Sequence, residues 1–263
     1  MKNRFPRSRG IYLLPNLFTI ASIFSGLISI AFTLKGNYEV AACAIFFSMV
    51  MDALDGKVAR LTNTMTDFGA QFDSMADMVS FAVAPAVVAY SWGLANLGKF
   101  GWTVCFIYVT AVALRLARFN TQLNSGDKKH FQGLPCPSAA AIIVSLVWLF
   151  YEHELSGRFE YLILSSFMIV VAVLMVSGVR YRSFKDIELK QGVNFLMISL
   201  IALVFALIYV EPEKILFVAF CGYVFSGPAE TVLGLRRNRR RLKNSSHKAD
   251  NKSASSSDGP TTG

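Results

Sequence analysis

The sequence predicts an all-α protein, a polytopic membrane bundle of about eight transmembrane helices. Hydrophobic residues make up 54% of the 263 residues, and the mean hydropathy is positive. Apolar runs close to the roughly 20 residues that cross a bilayer recur along the chain, at a density that soluble domains do not show. Short segments rich in lysine and arginine separate these runs.

Eight apolar runs are the predicted spans. The second and the fifth are shorter than the roughly 20 residues that a span needs. An alternative with six spans and two helices on the membrane surface therefore stays open. In chain order, the predicted spans are Ile11–Leu34, Tyr38–Leu54, Phe68–Trp92, Gly101–Phe119, Pro137–Tyr151, Tyr161–Gly178, Val193–Val210 and Ile215–Leu235.

The distribution of basic residues predicts the orientation of the bundle in the cell (inner) membrane. With both termini in the cytoplasm, that side holds 22 of the 26 lysines and arginines, and the other keeps Lys35, Lys99, Arg158 and Lys214. Because basic residues accumulate in cytoplasmic loops, we predict an even number of spans with both termini cytoplasmic. A net charge of +9 also suits nucleic acid. However, the charge lies in short loops between spans, so we expect anionic membrane lipids as partners and no nucleic acid.

Composition divides the chain into three segments. Residues 1–10 (MKNRFPRSRG) are basic and are predicted to lie at the membrane interface. Residues 11–235 form one membrane-embedded domain. Residues 236–263 begin with RRNRRRLK and continue as a Ser/Asn/Gly-rich stretch, which predicts a disordered cytoplasmic tail whose arginines bind anionic lipid.

Four aspartates at helical spacing are the strongest functional signal. Asp52 and Asp55 lie at the end of the second helix, and Asp73 and Asp77 lie near the start of the third. Side chains three or four residues apart share one helix face, so an antiparallel pair of helices can bring the two pairs together. Each carboxylate costs on the order of 2.5–3.5 kcal/mol in a bilayer. A hard divalent cation such as Mg²⁺ or Mn²⁺ would compensate them, because it prefers oxygen ligands.

Small and basic residues accompany the aspartates. Gly56, Ala59 and Gly69 share the same helix faces and leave space for a ligand close to the backbone. Arg60 adds a planar guanidinium group suited to phosphate. Metal ligands, open space and a guanidinium that can donate hydrogen bonds to phosphate together predict a pyrophosphate substrate. Taken alone, small residues on a membrane helix are more typical of helix packing, and a pair of aspartates at a helix end is typical of a cap, but neither interpretation explains the whole pattern.

The segment DALDGKVARLTNTMTDFGAQFDSMAD has the pattern D-x-x-D-G-x-x-A-R-x8-G-x-x-x-D-x-x-x-D. It resembles the signature of the CDP-alcohol phosphatidyltransferase family at every fixed position. The resemblance implies an enzyme that splits a CDP-alcohol, transfers its phosphatidyl-type group to a hydroxyl and releases CMP. It also implies two Mg²⁺ or Mn²⁺ ions and a set of site residues. The metal ligands would be Asp52, Asp55, Asp73 and Asp77, with Asp77 also the general base, and the CDP pocket would contain Gly56, Ala59, Arg60 and Gly69.

The first run adds polar residues on one helix face. Asn16, Thr19 and Gly26 in LPNLFTIASIFSG are spaced by three and seven residues. Family members often carry Pro-Asn-x-x-Thr here, near the nucleotide, so the resemblance implies that Asn16 and Thr19 bind CDP. Ser22 stands where many members have Asn. Packing of hydroxyl groups between helices is an equally supported interpretation of this face.

Three further segments concern the acceptor: RLARFN (Arg115–Asn120), FQGLPCP (Phe131–Pro137) and SGVRYRSFK (Ser177–Lys185). They resemble the bacterial membrane-embedded phosphatidylserine synthases, although these often have Pro in place of Arg182. The resemblance implies a homodimer that converts CDP-diacylglycerol and L-serine into phosphatidylserine and CMP. Guanidinium groups suit the serine carboxylate or a phosphate, but they also suit cytoplasmic loops. The candidate acceptor ligands are Arg115, Arg118 and Arg180.

Two alternatives to this function stay open. The same chemistry could use another acceptor, such as glycerol 3-phosphate, inositol phosphate or choline. From a different class, a cation-coupled transporter could use intramembrane carboxylates to bind its ion. A transporter would place these carboxylates near the membrane midplane and show matching halves, whereas these aspartates lie beside basic loops and the sequence shows no repeat.

Overall fold

The computed structural model describes residues 13–62, 64, 66–124, 133–179, 206, 209–229 and 231. Regular structure in these ranges is entirely helical. A π-helical turn (Met78–Val83) interrupts α3, and a short 3-10 turn (Leu94–Leu97) follows it. The helices are α1 (Leu13–Thr33), α2 (Tyr38–Thr62), α3 (Asp67–Trp92), α4 (Lys99–Asn124), α5 (Cys136–Glu152), α6 (Arg158–Val176) and α7 (residues 212–229).

Four of the described helices, α1, α3, α4 and α6, are long and apolar enough to cross a membrane. The other two in the first 180 residues correspond to the predicted short spans. α5 is apolar but has only 17 residues, and α2 has 25 residues, of which the last third carries the charged pattern. The predicted class, a helical membrane protein, is therefore confirmed with four candidate spans. The predicted Val193–Val210 span lies mostly outside the described residues, as do residues 1–10 and 236–263.

Successive helices run in opposite directions, so the bundle has two ends. One end, here called the far end, joins the turns α1–α2, α3–α4 and α5–α6 through aromatic contacts. The ring of Trp92 lies 5.4 Å from those of Phe150 and Tyr161, and Tyr38 lies 5.2 Å from Tyr151. The other end, here called the acidic end, contains the α2–α3 turn, the end of α4 and the start of α5.

α5 lies in the centre of the bundle and packs against α2, α3 and α6. Twelve of its 17 residues are buried, many of them alanines and β-branched residues. α7 closes the described part of the bundle, where Phe220 stacks on Phe46 of α2 and Phe217 contacts Phe167 of α6.

α1 has the two faces expected of a membrane helix, an apolar outer face and a polar inner face. Its outer face exposes large apolar side chains at spacings of three and four residues: Leu17, Ile20, Phe24 and Leu27, each more than half exposed. Its inner face buries hydroxyl groups: Thr19, Ser22, Ser25, Ser29 and Thr33. Small hydroxyl side chains let membrane helices approach closely and bond to one another, so this face joins α1 to α2 and α3.

Candidate active site

The two aspartate pairs face each other across α2 and α3 at the acidic end. One carboxylate oxygen each from Asp52, Asp55 and Asp73 lies within 4.8 Å of the other two. Asp77 follows one turn after Asp73 on α3. The side chain of Asp52 is within hydrogen-bonding reach of both Asp73 and Asp77. The structure thus brings all four aspartates of the sequence pattern into one cluster.

The short α2–α3 turn sets this arrangement through threonine hydroxyls. Thr62 Oγ1 and Thr64 Oγ1 lie 2.7 Å apart, and the backbone N–H of Thr64 donates to the carbonyl of Ala59 at 3.0 Å. Thr66 is the N-cap of α3, where its hydroxyl accepts a hydrogen bond from the Gly69 N–H at 3.0 Å. This cap satisfies one free amide of the first helical turn and fixes where α3 begins. The position of Asp73 relative to α2 follows from that start.

The side chains of the cluster fit a hard divalent cation. Asp77 Oδ1 is buried and has no hydrogen-bond partner within the described part of the chain. A buried carboxylate oxygen without a partner is costly, whereas coordination of a cation would satisfy it. Four carboxylates with oxygen atoms only are the ligand set that Mg²⁺ and Mn²⁺ prefer. The residues present are therefore suited to such an ion.

α1 closes one side of the cluster. Thr19 is buried, and its Oγ1 donates a hydrogen bond to Asp55 Oδ2 at 2.8 Å. Asn16 lies one turn earlier, with its Oδ1 3.9 Å from the place that a Cβ on Gly69 would occupy. Asn16, Thr19 and Gly69 therefore border the same space beside the aspartates.

The small residues of α2 leave a second open area. A Cβ added to Gly56 would meet only the guanidinium of Arg60, at 3.4 Å. Arg60 folds back along its own helix, and its Nε donates to the carbonyl of Gly56 at 2.9 Å. Ala59 is half-buried on the same helix. An exposed guanidinium thus lies above an unfilled space next to Asp55, where a phosphate group has room.

Among the three arginines predicted for the acceptor, the structure places Arg115 at the cluster. Its positive charge is close enough to attract the carboxylates of both Asp52 and Asp77. Its Nη1 lies 2.8 Å from the sulfur of Cys136, the first residue of α5, and its Nε is buried with no partner in the described ranges. Arg118 is exposed further along α4, and Arg180 lies outside the described residues.

Sequence reasoning missed residues that connect α4 to α3 at this level. Ser74 Oγ donates to Asn120 Oδ1 at 3.1 Å, and Asn120 Nδ2 donates to Gln71 Oε1 at 3.3 Å. Ser74 lies next to Asp73, so these bonds hold the aspartate helix against the end of α4. The motif RLARFN contained a signal, since it ends an apolar helix with a polar residue, Asn120.

Comparisons with known proteins agree with the geometry. A family model described as CDP-alcohol phosphatidyltransferase matches residues 12–178. Two curated relatives are named CDP-diacylglycerol–serine O-phosphatidyltransferase. The Helicobacter pylori (strain ATCC 700392 / 26695) protein is 40% identical over 218 residues, which cover 82% of this chain and 90% of the relative. The Mycobacterium tuberculosis (strain ATCC 25618 / H37Rv) protein is 29% identical over 230 residues, which cover 85% and 79%.

One further relative has a different name. The archaetidylserine synthase of Methanothermobacter thermautotrophicus is 36% identical over 170 residues, which cover 64% of this chain and 69% of the relative. The family match spans α1 to α6, including every described residue of the aspartate cluster. The chain therefore belongs to the CDP-alcohol phosphatidyltransferase family.

Proposed function

We propose that the protein transfers the phosphatidyl group of CDP-diacylglycerol to the hydroxyl of L-serine, producing phosphatidylserine and CMP. The observation that carries this proposal is the convergence of Asp52, Asp55 and Asp73 within 4.8 Å, beside Asp77, whose Oδ1 is buried. The choice of serine is supported by the names of the relatives, among them the Helicobacter pylori protein, which is 40% identical.

In this proposal the four aspartates would hold one or two Mg²⁺ or Mn²⁺ ions. When bound, these ions would neutralise the diphosphate and the charge on the departing CMP. Asp77 would accept the proton of the serine hydroxyl while the serine oxygen forms a bond to the phosphatidyl phosphorus. The bond from phosphorus to the CMP oxygen then breaks, and CMP leaves with the electron pair. The proposed CDP contacts are Asn16, Thr19, Gly56, Ala59, Arg60 and Gly69.

The position of Arg115 supports a role with the acceptor. Its buried Nε–H group has no acceptor among the described residues. Its positive charge is close enough to attract the Asp77 carboxylate. A guanidinium here can bind the serine carboxylate and keep the hydroxyl near the base, because a planar donor group matches a carboxylate. Arg118 and Arg180 stay candidates for the same carboxylate or for a lipid phosphate.

The topology also belongs to the proposal. We place both termini and the aspartate cluster on the cytoplasmic side of the cell membrane, with about eight helices in residues 11–235. The support is the distribution of 22 of 26 basic residues on that side. Residues 1–10 and 236–263 would contact anionic lipids there. We further propose a homodimer, on the family resemblance alone.

The direct test uses the full chain in detergent or liposomes with CDP-diacylglycerol and radiolabelled serine. We expect labelled phosphatidylserine and an equal amount of CMP, both dependent on Mg²⁺ or Mn²⁺. Release of CMP with glycerol 3-phosphate, inositol phosphate or choline, but not with serine, would show that the acceptor is not serine. A protein that moves a solute into vesicles and never cleaves the CDP-lipid would be a transporter.

A matched pair of variants tests the role of the base. Asp77→Asn should abolish turnover and largely preserve binding of CDP-diacylglycerol. Asp67→Asn removes a similar charge from the exposed first turn of the same helix and should stay active. Full turnover by Asp77→Asn would exclude Asp77 as the base.

A further inference from the structure

α3 changes its hydrogen-bonding pattern directly after Asp77. Residues Met78–Val83 form a π-helical turn, and regular α-helix resumes at Ala84. A π-helical turn contains one more residue than an α-helical turn and is common at functional sites. The extra residue changes the direction of side chains before the turn relative to those after it. Each α-helical residue contributes about 100° of rotation, so the turn has a large effect on where Asp73 and Asp77 point.

α1 and α2 hold this turn from one side. The hydroxyl of Ser80 donates to the backbone carbonyl of Ser22 at 3.0 Å, and the hydroxyl of Ser48 donates to the same carbonyl at 3.2 Å. The Ser22 and Ser48 hydroxyls lie 2.7 Å apart, and all three serines are buried. A Cβ on Gly26 would lie 2.8 Å from Ser80 Oγ and 3.0 Å from Ser80 Cα, so glycine is needed for this close approach.

α4 holds the turn from the other side. The hydroxyl of Tyr108 donates to the carbonyl of Phe81 at 2.7 Å, and both residues are fully buried. Tyr108 lies two turns before Arg115 on α4, so one face of this helix contacts the π-helical turn and the aspartate cluster together. Two neighbouring residues of the turn are thus bonded to two different helices.

We propose that Ser80 and Tyr108 are positioning residues, which hold the π-helical turn and thereby direct Asp77 and Asp73 toward Asp52 and Asp55. The two hydroxyls donate to the carbonyls of Ser22 and Phe81, so both act through the backbone rather than on a carboxylate. The inference rests on the proposed metal-binding role of the aspartates. It explains why a buried tyrosine hydroxyl and a buried serine hydroxyl both bond to irregular backbone next to the reacting groups.

The test measures Mn²⁺ affinity of the substrate-free protein by electron paramagnetic resonance, together with kcat and KM. Its variants are Ser80→Ala, Tyr108→Phe and the double variant. Ser145→Ala is the serine control, because its buried hydroxyl donates to Ile142 O within α5. Tyr161→Phe, at the far end, is the tyrosine control. Because neighbours that orient metal ligands contribute about 10- to 100-fold, we expect such a loss in Mn²⁺ affinity and kcat for the double variant and less than about twofold for the controls.

Wild-type Mn²⁺ affinity and kcat in a folded double variant would overturn the proposal. If the double variant does not fold, the same measurements on Tyr108→Phe alone test the proposal, because this change keeps the ring and removes one oxygen atom. In that variant, loss of thermal stability with unchanged Mn²⁺ affinity and kcat would indicate a purely structural role and also overturn it. The metal measurement needs no serine, so failure of the wild type to use serine would refute the acceptor and leave this test intact.

Discussion

Thr19 provides the sharpest test of how α1 serves the site. The change Thr19→Val keeps the shape of the side chain and removes the hydroxyl that donates to Asp55 Oδ2 at 2.8 Å. Hydrogen bonds to charged groups contribute about 1.5–3 kcal/mol. At about 1.4 kcal/mol for each factor of ten, this corresponds to a roughly 10- to 100-fold loss of metal affinity if the bond orients Asp55 as a ligand.

The assay titrates Mn²⁺ into the protein without nucleotide and then measures KM for CDP-diacylglycerol at saturating Mn²⁺. Thr19→Ser should retain most of the affinity because it keeps the donor. Thr33→Val is the control on the same helix, where a buried hydroxyl bonds to Ser29 O at 2.8 Å near the far end. Unchanged Mn²⁺ affinity with a raised KM would refute the orienting role and leave Thr19 as a nucleotide contact only.

Four other outcomes are expected. Gly69→Ala places a methyl group between Thr66 and Asn16, so KM for CDP-diacylglycerol should rise about tenfold with little loss of thermal stability; unchanged KM would place the nucleotide elsewhere. Asp52→Asn should weaken both Mn²⁺ and nucleotide binding, and intact Mn²⁺ affinity would contradict its assignment as a ligand. Arg115→Met should lower kcat/KM for serine about 100-fold, by loss of a charge-assisted bond, whereas equal losses for every acceptor would point to the diphosphate. Chelation with EDTA should stop CMP release and Mn²⁺ should restore it; activity that survives exhaustive chelation would exclude the metal mechanism.

Local spacing was sufficient to predict the aspartate cluster. The intervals between Asp52 and Asp55 and between Asp73 and Asp77 place each pair on one helix face, and the short connection forces the helices to be antiparallel. The predicted spans coincide with α1 to α6 within a few residues, except that α2 continues to Thr62 as one helix through the charged pattern.

Other parts of the site depend on contacts between distant segments. The bond from Thr19 to Asp55 spans 36 residues, and that from Tyr108 to Phe81 spans 27. No spacing rule distinguishes Arg115 from Arg118, because only the packing of α4 decides which of them faces the cluster. The residues of the π-helical turn after Asp77 are of the same apolar and small types as those of the α-helix around it. The pattern of apolar residues therefore could not predict the turn.

The position of α5 has a consequence for how water-soluble substrates reach a site inside a membrane protein. With 17 residues, the helix is about 25 Å long, shorter than the roughly 30 Å hydrocarbon layer. Surrounding helices cover it, so no lipid has to adapt to this mismatch. α5 begins at the acidic end with Cys136, beside Arg115. We expect a hydrated recess there, deep enough for serine to enter and CMP to leave while the acyl chains of the lipid stay in the bilayer.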